Sequence, residues 1–318
     1  MAPPSVTDPA IPREQRIDAF VDYTAQTYGV DAQVIRDALA QAETRQGILN
    51  AMSRPAEGVK PWRDYRPIFL NAERIDAGRA FHAQHRAALE QVAANSGVPA
   101  EYIVAIIGVE TSYGGNTGSY RVLDALYTLA FDWPKRAPFF AGELAQLFAL
   151  AQEESLQVGS LQGSYAGAMG WGQFMPSSYR LWAKDGDGDG RRDLLHSIPD
   201  VFASIANYLV VHGWQRGGPV VARASRDAGA ADFIPGNVEP VHPLATLAVR
   251  GYRPQPGEPV AEGATLLTFD GDGGKEYWLG YHNFYVITRY NHSPMYAMVV
   301  HQLAQAIRGD GATGQPSQ

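Results

Sequence analysis

The sequence predicts an α+β fold, mainly α, on three observations. Apolar residues recur at helical spacing from Pro12 to about Ala94 and again through Glu154. Beyond Gly213 the texture changes to β-rich runs punctuated by Gly and Pro. A last helical stretch, Ala297–Ile307, then closes the patterned chain. The resulting boundaries are a helical lobe at 12–94 joined by a C-terminal helix at 297–308, a core at 95–212 completed by 288–296, and a small antiparallel β lobe at 213–287.

At 318 residues, with 45% hydrophobic and 19% charged residues, the chain can bury a large core and is not disordered overall. A net charge of −7 without a basic stripe argues against a phosphate-backbone binder, so no nucleic-acid partner is expected. No apolar run approaches the length that spans a bilayer. With no cysteine there is neither a disulfide nor a thiolate metal site. The first residues, M-A-P-P-S-V-T-D-P-A, lack a basic-then-apolar export pattern. They read either as a cytoplasmic start or as a chain whose export segment has been removed.

In the helical lobe, Phe20, Tyr23 and Thr24 share a face, as do Val34, Ile35, Ala38 and Leu39. Between its helices lies Pro55–Pro67, too Pro-rich for a helix and too aromatic for a plain linker. Trp62 and Tyr65 there either anchor a loop or form a surface on which sugar rings stack.

The core opens on Gly97–Gly118. Pro99 marks a helix start, and Ile103, Ile106, Ile107 and Glu110 fall at i, i+3, i+4 and i+7. Gly114, Gly115 and Gly118 predict that the helix ends within a few residues of Glu110. Apolar surroundings and the negative end of the helix dipole both oppose ionisation, which suits a general acid. The plainer alternative is a Glu that faces solvent or pairs with Arg121. Downstream, Glu143, Glu153 and Glu154 read as solvated charges on an amphipathic helix, and Asp124 and Asp132 as weak candidates for a second carboxylate.

Gly163–Tyr179 is too Gly-rich for a helix, with Gly163, Gly167, Gly170 and Gly172. It mixes polar tips (Ser164, Gln173, Tyr165 or Tyr179) with apolar walls (Met169, Trp171, Phe174, Met175), as in a sugar or small-molecule cleft. A tight turn between core helices remains the alternative. In Asp185–Asp200, Asp185, Asp187 and Asp189 with Gly190 match the first half of an EF-hand loop, with Asp193 at a water-bridged position. Loop position twelve is His196 rather than Glu, and Asp200 is the nearest carboxylate able to close the shell. The alternation points to a structural Ca²⁺ (or Na⁺), because clustered aspartates otherwise repel. A Ca²⁺ sensor is disfavoured by the single variant loop. Asp270–Gly273, a second D-G-D-G, reads as a hairpin turn.

Val201–His212 forms a short helix carrying Tyr208. In the β lobe, Val220–Ala222, Leu244–Val249, Thr265–Phe269 and Tyr277–Thr288 read as strands, and the polar–aromatic cluster Arg289–Tyr296 follows. The tail from Arg308 reads as disordered.

G-V-E-T-S-Y-G at 108–114, the 163–179 segment, the Asp-rich loop, A-N-Y-L-V-V-H-G-W at 206–214 and Y-W-L-G-Y-H-N-F-Y-V-I-T-R-Y-N-H-S at 277–293 together resemble the bacterial lytic murein transglycosylase B family. The resemblance runs over roughly 15–307, in order and with compatible spacing. It implies a lysozyme-like catalytic core and cleavage of the β-1,4 MurNAc–GlcNAc bond of peptidoglycan with a 1,6-anhydro end. By it, Glu110 is the single acid/base, and Ser164, Gln173, Tyr208, Tyr290, Asn291 and Tyr296 line the sugar cleft. Asp185, Asp187, Asp189, the carbonyl of Arg191 and Asp200 hold the cation. Glycan strands are the implied partner, with other cell-wall enzymes possible, no organic cofactor, and a periplasmic location. A hydrolase of lysozyme type and a non-catalytic peptidoglycan-binding scaffold are the competing readings.

Overall fold

The computed structural model describes residues 2–53 and 60–309. Residues 55–59 of the aromatic linker and the tail from 310, both covered by the expectations above, lie outside the described residues. The chain divides into two compact units, residues 1–55 with 110–204 and residues 56–109 with 205–318.

The first unit is built round the helix Val122–Asp132, buried at every position from Val122 to Phe131. A helix hydrophobic all round has to be covered on all sides, and its largest neighbour is the helix Ala137–Glu153. Phe20, from the helix Arg13–Tyr28, sets its ring 6.0 Å from Phe131 and 6.2 Å from Phe148. Asp31 starts the helix Ala32–Leu39 by accepting from the Gln33 and Val34 N–H groups, a standard N-cap. Of the face expected on that helix, Ile35 and Leu39 are buried, whereas Val34 turns out to solvent. A two-stranded ladder, β1 (Tyr120–Arg121) against β2 (Gln162–Gly163), ties the start of the Val122 helix to the Gly-rich segment.

The second unit carries the antiparallel sheet. Its strands are β3 (Val221–Arg226), β4 (His242–Pro243), β5 (Tyr252–Pro254), β6 (Gly263–Gly271) and β7 (Gly274–Gly280), in the order β4-β6-β7-β3-β5. Gly271 pairs with Gly274, so the second D-G-D-G is a two-residue hairpin turn, as expected. Ala222, Leu247, Tyr252, Leu266 and Leu279 form the core beneath the sheet.

Two stretches expected as strands are helical: Leu244–Val249 is a short helix, and after β7 the chain continues as the helix His282–Tyr290. Short apolar runs do not separate the two periods, and Pro243 and the extended Tyr281, just before each run, act as helix starts. Trp62–Phe69 is a helix too. Pro61 lies just outside it, and Pro67 forfeits only one hydrogen bond in so short an element. Trp62 and Tyr65 are each 2% exposed, and the Trp62 ring sits 5.0 Å from Phe269 of β6, so both rings are packed as anchors.

Two buried polar side chains of this unit, Asn283 and Tyr102, find partners far away in sequence. Asn283 accepts from the Gln215 N–H and donates to the Gln215 and Gly218 carbonyls, each at 2.8 Å. Tyr102 meets His301 Nδ1 at 2.7 Å, and burial pushes the imidazole down to about 4. Among the described residues no single helix is long and apolar enough to cross a membrane.

Candidate active site

Glu110 is the penultimate residue of the helix Ala100–Thr111. That helix is buried on all sides from Ala100 to Val109 rather than along one stripe, and Glu110 is its first half-buried residue. Immediately beyond it the backbone turns left-handed at Ser112 (φ 52°), Tyr113 (φ 59°) and Gly114 (φ 84°). Two non-glycine residues in this region are strained, a condition that persists only where the surroundings enforce it. The enforcement is visible. The Thr111 hydroxyl donates to the Trp171 carbonyl (3.0 Å) and accepts from the Gly114 N–H (3.1 Å), while Asn116 N–H closes on the Thr111 carbonyl (2.9 Å). A Cβ at Gly114 would lie 2.4 Å from the Trp171 indole, and one at Gly118 would lie 2.1 Å from the Gly163 carbonyl carbon. The loop after Glu110 therefore rests directly on the Gly-rich segment, as the glycines predict.

In that segment Met169 and Phe174 exchange backbone hydrogen bonds of 2.9 Å, and both side chains are buried. The Ser164 hydroxyl accepts from the Ala166 (3.3 Å) and Ala168 (3.0 Å) N–H groups and shapes its own turn. Gln173, at φ 51°, donates its amide to the Thr117 (3.0 Å) and Gly170 (2.9 Å) carbonyls. What Gln173 can offer a ligand is thus its carbonyl oxygen. Of the two tyrosines expected as polar tips, Tyr165 is exposed, whereas Tyr179 is fully buried with its hydroxyl donating to the Arg192 carbonyl.

The second unit gathers the aromatic residues. Tyr208 is 8% exposed and donates to the Arg289 carbonyl at 2.5 Å. Its ring stacks on His212 (4.1 Å, 22°) and meets Tyr290 edge-on (4.8 Å, 60°). Burial pushes the Tyr208 hydroxyl up to about 12 and His212 below its ordinary value, so both are neutral at physiological pH. His212 was not singled out from sequence, although its i+4 spacing from Tyr208 was the available signal. Asn291 is exposed and extended, its Oδ1 accepting from Ser293 N–H (3.2 Å). Ser293 caps the helix Pro294–Arg308, whose first turn holds the buried Tyr296.

Asp185, Asp187 and Asp200 each place a carboxylate oxygen within 4.8 Å of the others. Asp200 is 1% exposed and accepts from the Gly186 (2.8 Å) and Asp193 (2.7 Å) N–H groups. Asp185 accepts from Gly188 (2.6 Å) and Gly190 (2.8 Å), and the Gly190 N–H, first among several donors, holds its carboxyl below the usual range. Asp187 accepts from the Ser197 hydroxyl (2.8 Å), and Asp189 from Arg191 N–H (2.8 Å). Asp193, expected at a water-bridged position, instead caps its own turn through the Leu195 (2.9 Å) and His196 (3.0 Å) N–H groups. Three carboxylates converging on one point suit a hard cation.

The remaining acids have structural partners. Glu143 is not a solvated charge: it is buried and accepts from Ser177 N–H (2.9 Å) and Oγ (2.6 Å), and burial pushes its carboxyl above the usual range. Glu153 and Glu154 pair with Arg180 and Arg192. Asp124 is buried, yet hydrogen bonds led by Arg121 outweigh that burial and hold its carboxyl low. Arg121, the alternative partner named for Glu110, is thus engaged with Asp124. Asp132 is held by Arg13 (2.6 Å) and Thr44 (2.7 Å).

Residues 12–305 match the model of the transglycosylase SLT domain. The chain is 41% identical over 297 residues to membrane-bound lytic murein transglycosylase B of Escherichia coli K12, covering 91% of this chain and 81% of that protein. The chain belongs to the lytic transglycosylase family. Among solved relatives, soluble SltB1 of Pseudomonas aeruginosa is 46% identical with a TM-score of 0.87 over 93% of this chain and 100% of that one. E. coli Slt35, solved in complex with calcium, is 39% identical with a TM-score of 0.84 over 93% and 94%. P. aeruginosa SltB3, solved with NAG-anhNAM-pentapeptide, is 34% identical with a TM-score of 0.81 over 93% and 79%. This transglycosylase accordingly has the expected fold class, mainly helical with a small antiparallel sheet and lysozyme-like relatives, and it is an enzyme of peptidoglycan glycan cleavage. A scaffold without activity is set aside.

Proposed function

We propose that Glu110 is the single acid/base of a non-hydrolytic cleavage that leaves 1,6-anhydro-MurNAc ends. The observation that carries this is its position: half-buried at a helix end, beside a strained loop locked onto the segment bearing Ser164 and Gln173. Glycosidases that use water employ two carboxylates, and the other buried acids of this unit are held in structural contacts. In the proposed reaction Glu110 gives its proton to the glycosidic oxygen as the C1–O bond breaks. The carbonyl oxygen of the 2-acetamido group bonds to C1 and takes up the positive charge. The Glu110 carboxylate then removes the proton of the C6 hydroxyl, O6 bonds to C1, and the acetamido oxygen leaves. Water is neither consumed nor released, and the closing attack is intramolecular.

Ser164 and Gln173 of the first unit, and Tyr208, Tyr290, Asn291 and Tyr296 of the second, are the residues assigned to the glycan in this reading. Asp185, Asp187 and Asp200, with Asp189 and the Arg191 carbonyl, hold a structural Ca²⁺ (or Na⁺), supported by the calcium complex of Slt35. The boundaries 12–94, 95–212 and 213–287 are proposed as the functional lobes. A peptidoglycan substrate supports a periplasmic location, with other cell-wall enzymes as the expected neighbours. No organic cofactor enters the scheme.

Mass spectrometry of muropeptides from purified sacculi tests the reaction. Anhydro ends are one water lighter than reducing ends, and their release is expected from the native enzyme. Glu110→Gln is expected to lower turnover by at least about 10³-fold while melting behaviour is kept. Exclusively reducing ends would establish the lysozyme-type hydrolase instead, and turnover surviving in the variant would remove Glu110 from its role.

A further inference from the structure

Tyr120 and Tyr165 stand apart from the other aromatic residues of the first unit. They are 36% and 42% exposed, yet they meet each other edge to face, with ring centroids 6.5 Å apart at 79°. The ladder explains how. Tyr120 of β1 lies opposite Gly163 of β2, and Tyr165 follows two residues later, the diagonal neighbour in an antiparallel pair. Gly163 has no side chain to intervene, and a Cβ there would lie 2.2 Å from the Ala168 carbonyl oxygen.

Neither ring sits on a loose support. Tyr165 lies inside the turn closed by Gly167 N–H on the Ser164 carbonyl (3.0 Å) and by the Ser164 hydroxyl accepting from Ala166 and Ala168. Tyr120 is fixed by the ladder and by Val122 N–H on the Leu161 carbonyl (2.9 Å). In an edge-to-face pair, one ring keeps both faces open at its sides and the other keeps its outer face. The result is a solvent-facing aromatic corner in which Tyr165 directly follows Ser164.

We propose that the Tyr120–Tyr165 corner is a glycan-stacking subsite, holding a pyranose ring of the strand against an aromatic face while the phenol hydroxyls meet its polar rim. The proposal rests on the reading of the chain as a glycan-cleaving enzyme and adds two positioning residues to it. Stacking made equally before and during bond cleavage strengthens substrate binding without speeding the chemical step.

The test uses the full chain with Glu110→Gln, which leaves a glycan intact, and chitohexaose as the probe in titration calorimetry. Tyr165→Ala and Tyr120→Ala are each expected to weaken binding by roughly three- to tenfold. Tyr165→Trp is expected to bind within twofold of the parent. With Glu110 present, soluble peptide-free glycan strands should show KM raised by the same factor and kcat held within twofold. Binding within twofold of the parent in both alanine variants overturns the proposal. So does weakened binding that Tyr165→Trp fails to restore while both proteins melt normally, because the corner would then be structural. Absence of anhydro ends from the native enzyme strikes the role of Glu110 and leaves the calorimetric comparison standing, so the two failures are separable.

Discussion

Glu143 gives the sharpest energetic test, because its carboxyl is buried in the first unit and takes both of its hydrogen bonds among the described residues from Ser177. A protonated acid serves both contacts: its carbonyl oxygen accepts from Ser177 N–H and its hydroxyl meets Oγ. Gln reproduces that pattern, since its oxygen accepts from N–H and its NH₂ donates to Oγ. Burial raises the folded carboxyl above its unfolded value of about 4.3. A raised value means that Glu143's contribution is complete below the unfolded pKa and is lost as pH rises through the folded one. Each pH unit between the two values is worth about 1.4 kcal/mol. Glu143→Gln should therefore match the wild type in urea unfolding near pH 4 and become the more stable protein as the pH is raised to 8. Glu143→Leu takes the acceptor away from the half-buried Ser177 N–H and hydroxyl and should cost about 1–3 kcal/mol at either pH. If Glu143→Gln instead loses stability relative to wild type on going from pH 4 to pH 8, the carboxylate is the favoured form and the reasoning is wrong.

Three further outcomes concern two glycines and the acidic loop. Gly118→Ala places a Cβ 2.1 Å from backbone at φ +96°, so denaturant unfolding should show a loss of about 2–4 kcal/mol with activity falling in parallel. Gly47→Ala, in a helix with nothing within 4 Å, should instead gain up to about 1 kcal/mol. For the acidic loop, Ca²⁺ at a hundred times its dissociation constant should stabilise the wild type by about 2.7 kcal/mol in a thermal-shift assay. Asp185→Asn should abolish that calcium-dependent increment, and an increment equal to that of the wild type would remove Asp185 from the ligand set.

What was legible in the sequence is what depends on neighbours in the chain. Pro99, the spacing of Ile103, Ile106 and Ile107, and the glycines from Gly114 onward located the Glu110 helix and its end, because capping and turn preferences act within one or two turns. The hairpin at Asp272–Gly273 was visible for the same reason. The failures share the opposite property. Leu244–Val249 and His282–Tyr290 are apolar runs whose period tertiary packing decides, so local propensity could not separate strand from helix. Glu143 looked solvated because its partner Ser177 lies 34 residues away, and a hydrogen bond across that distance leaves no trace in local spacing. Asp193 shows the reverse case: it fitted a ligand position in a borrowed template, but two backbone N–H groups within three residues had already claimed its Oδ1. Backbone donors within the loop also reach Asp185 and Asp187, so what separates Asp193 from them is place: the carboxylates of Asp185, Asp187 and Asp200 lie together and that of Asp193 is not among them.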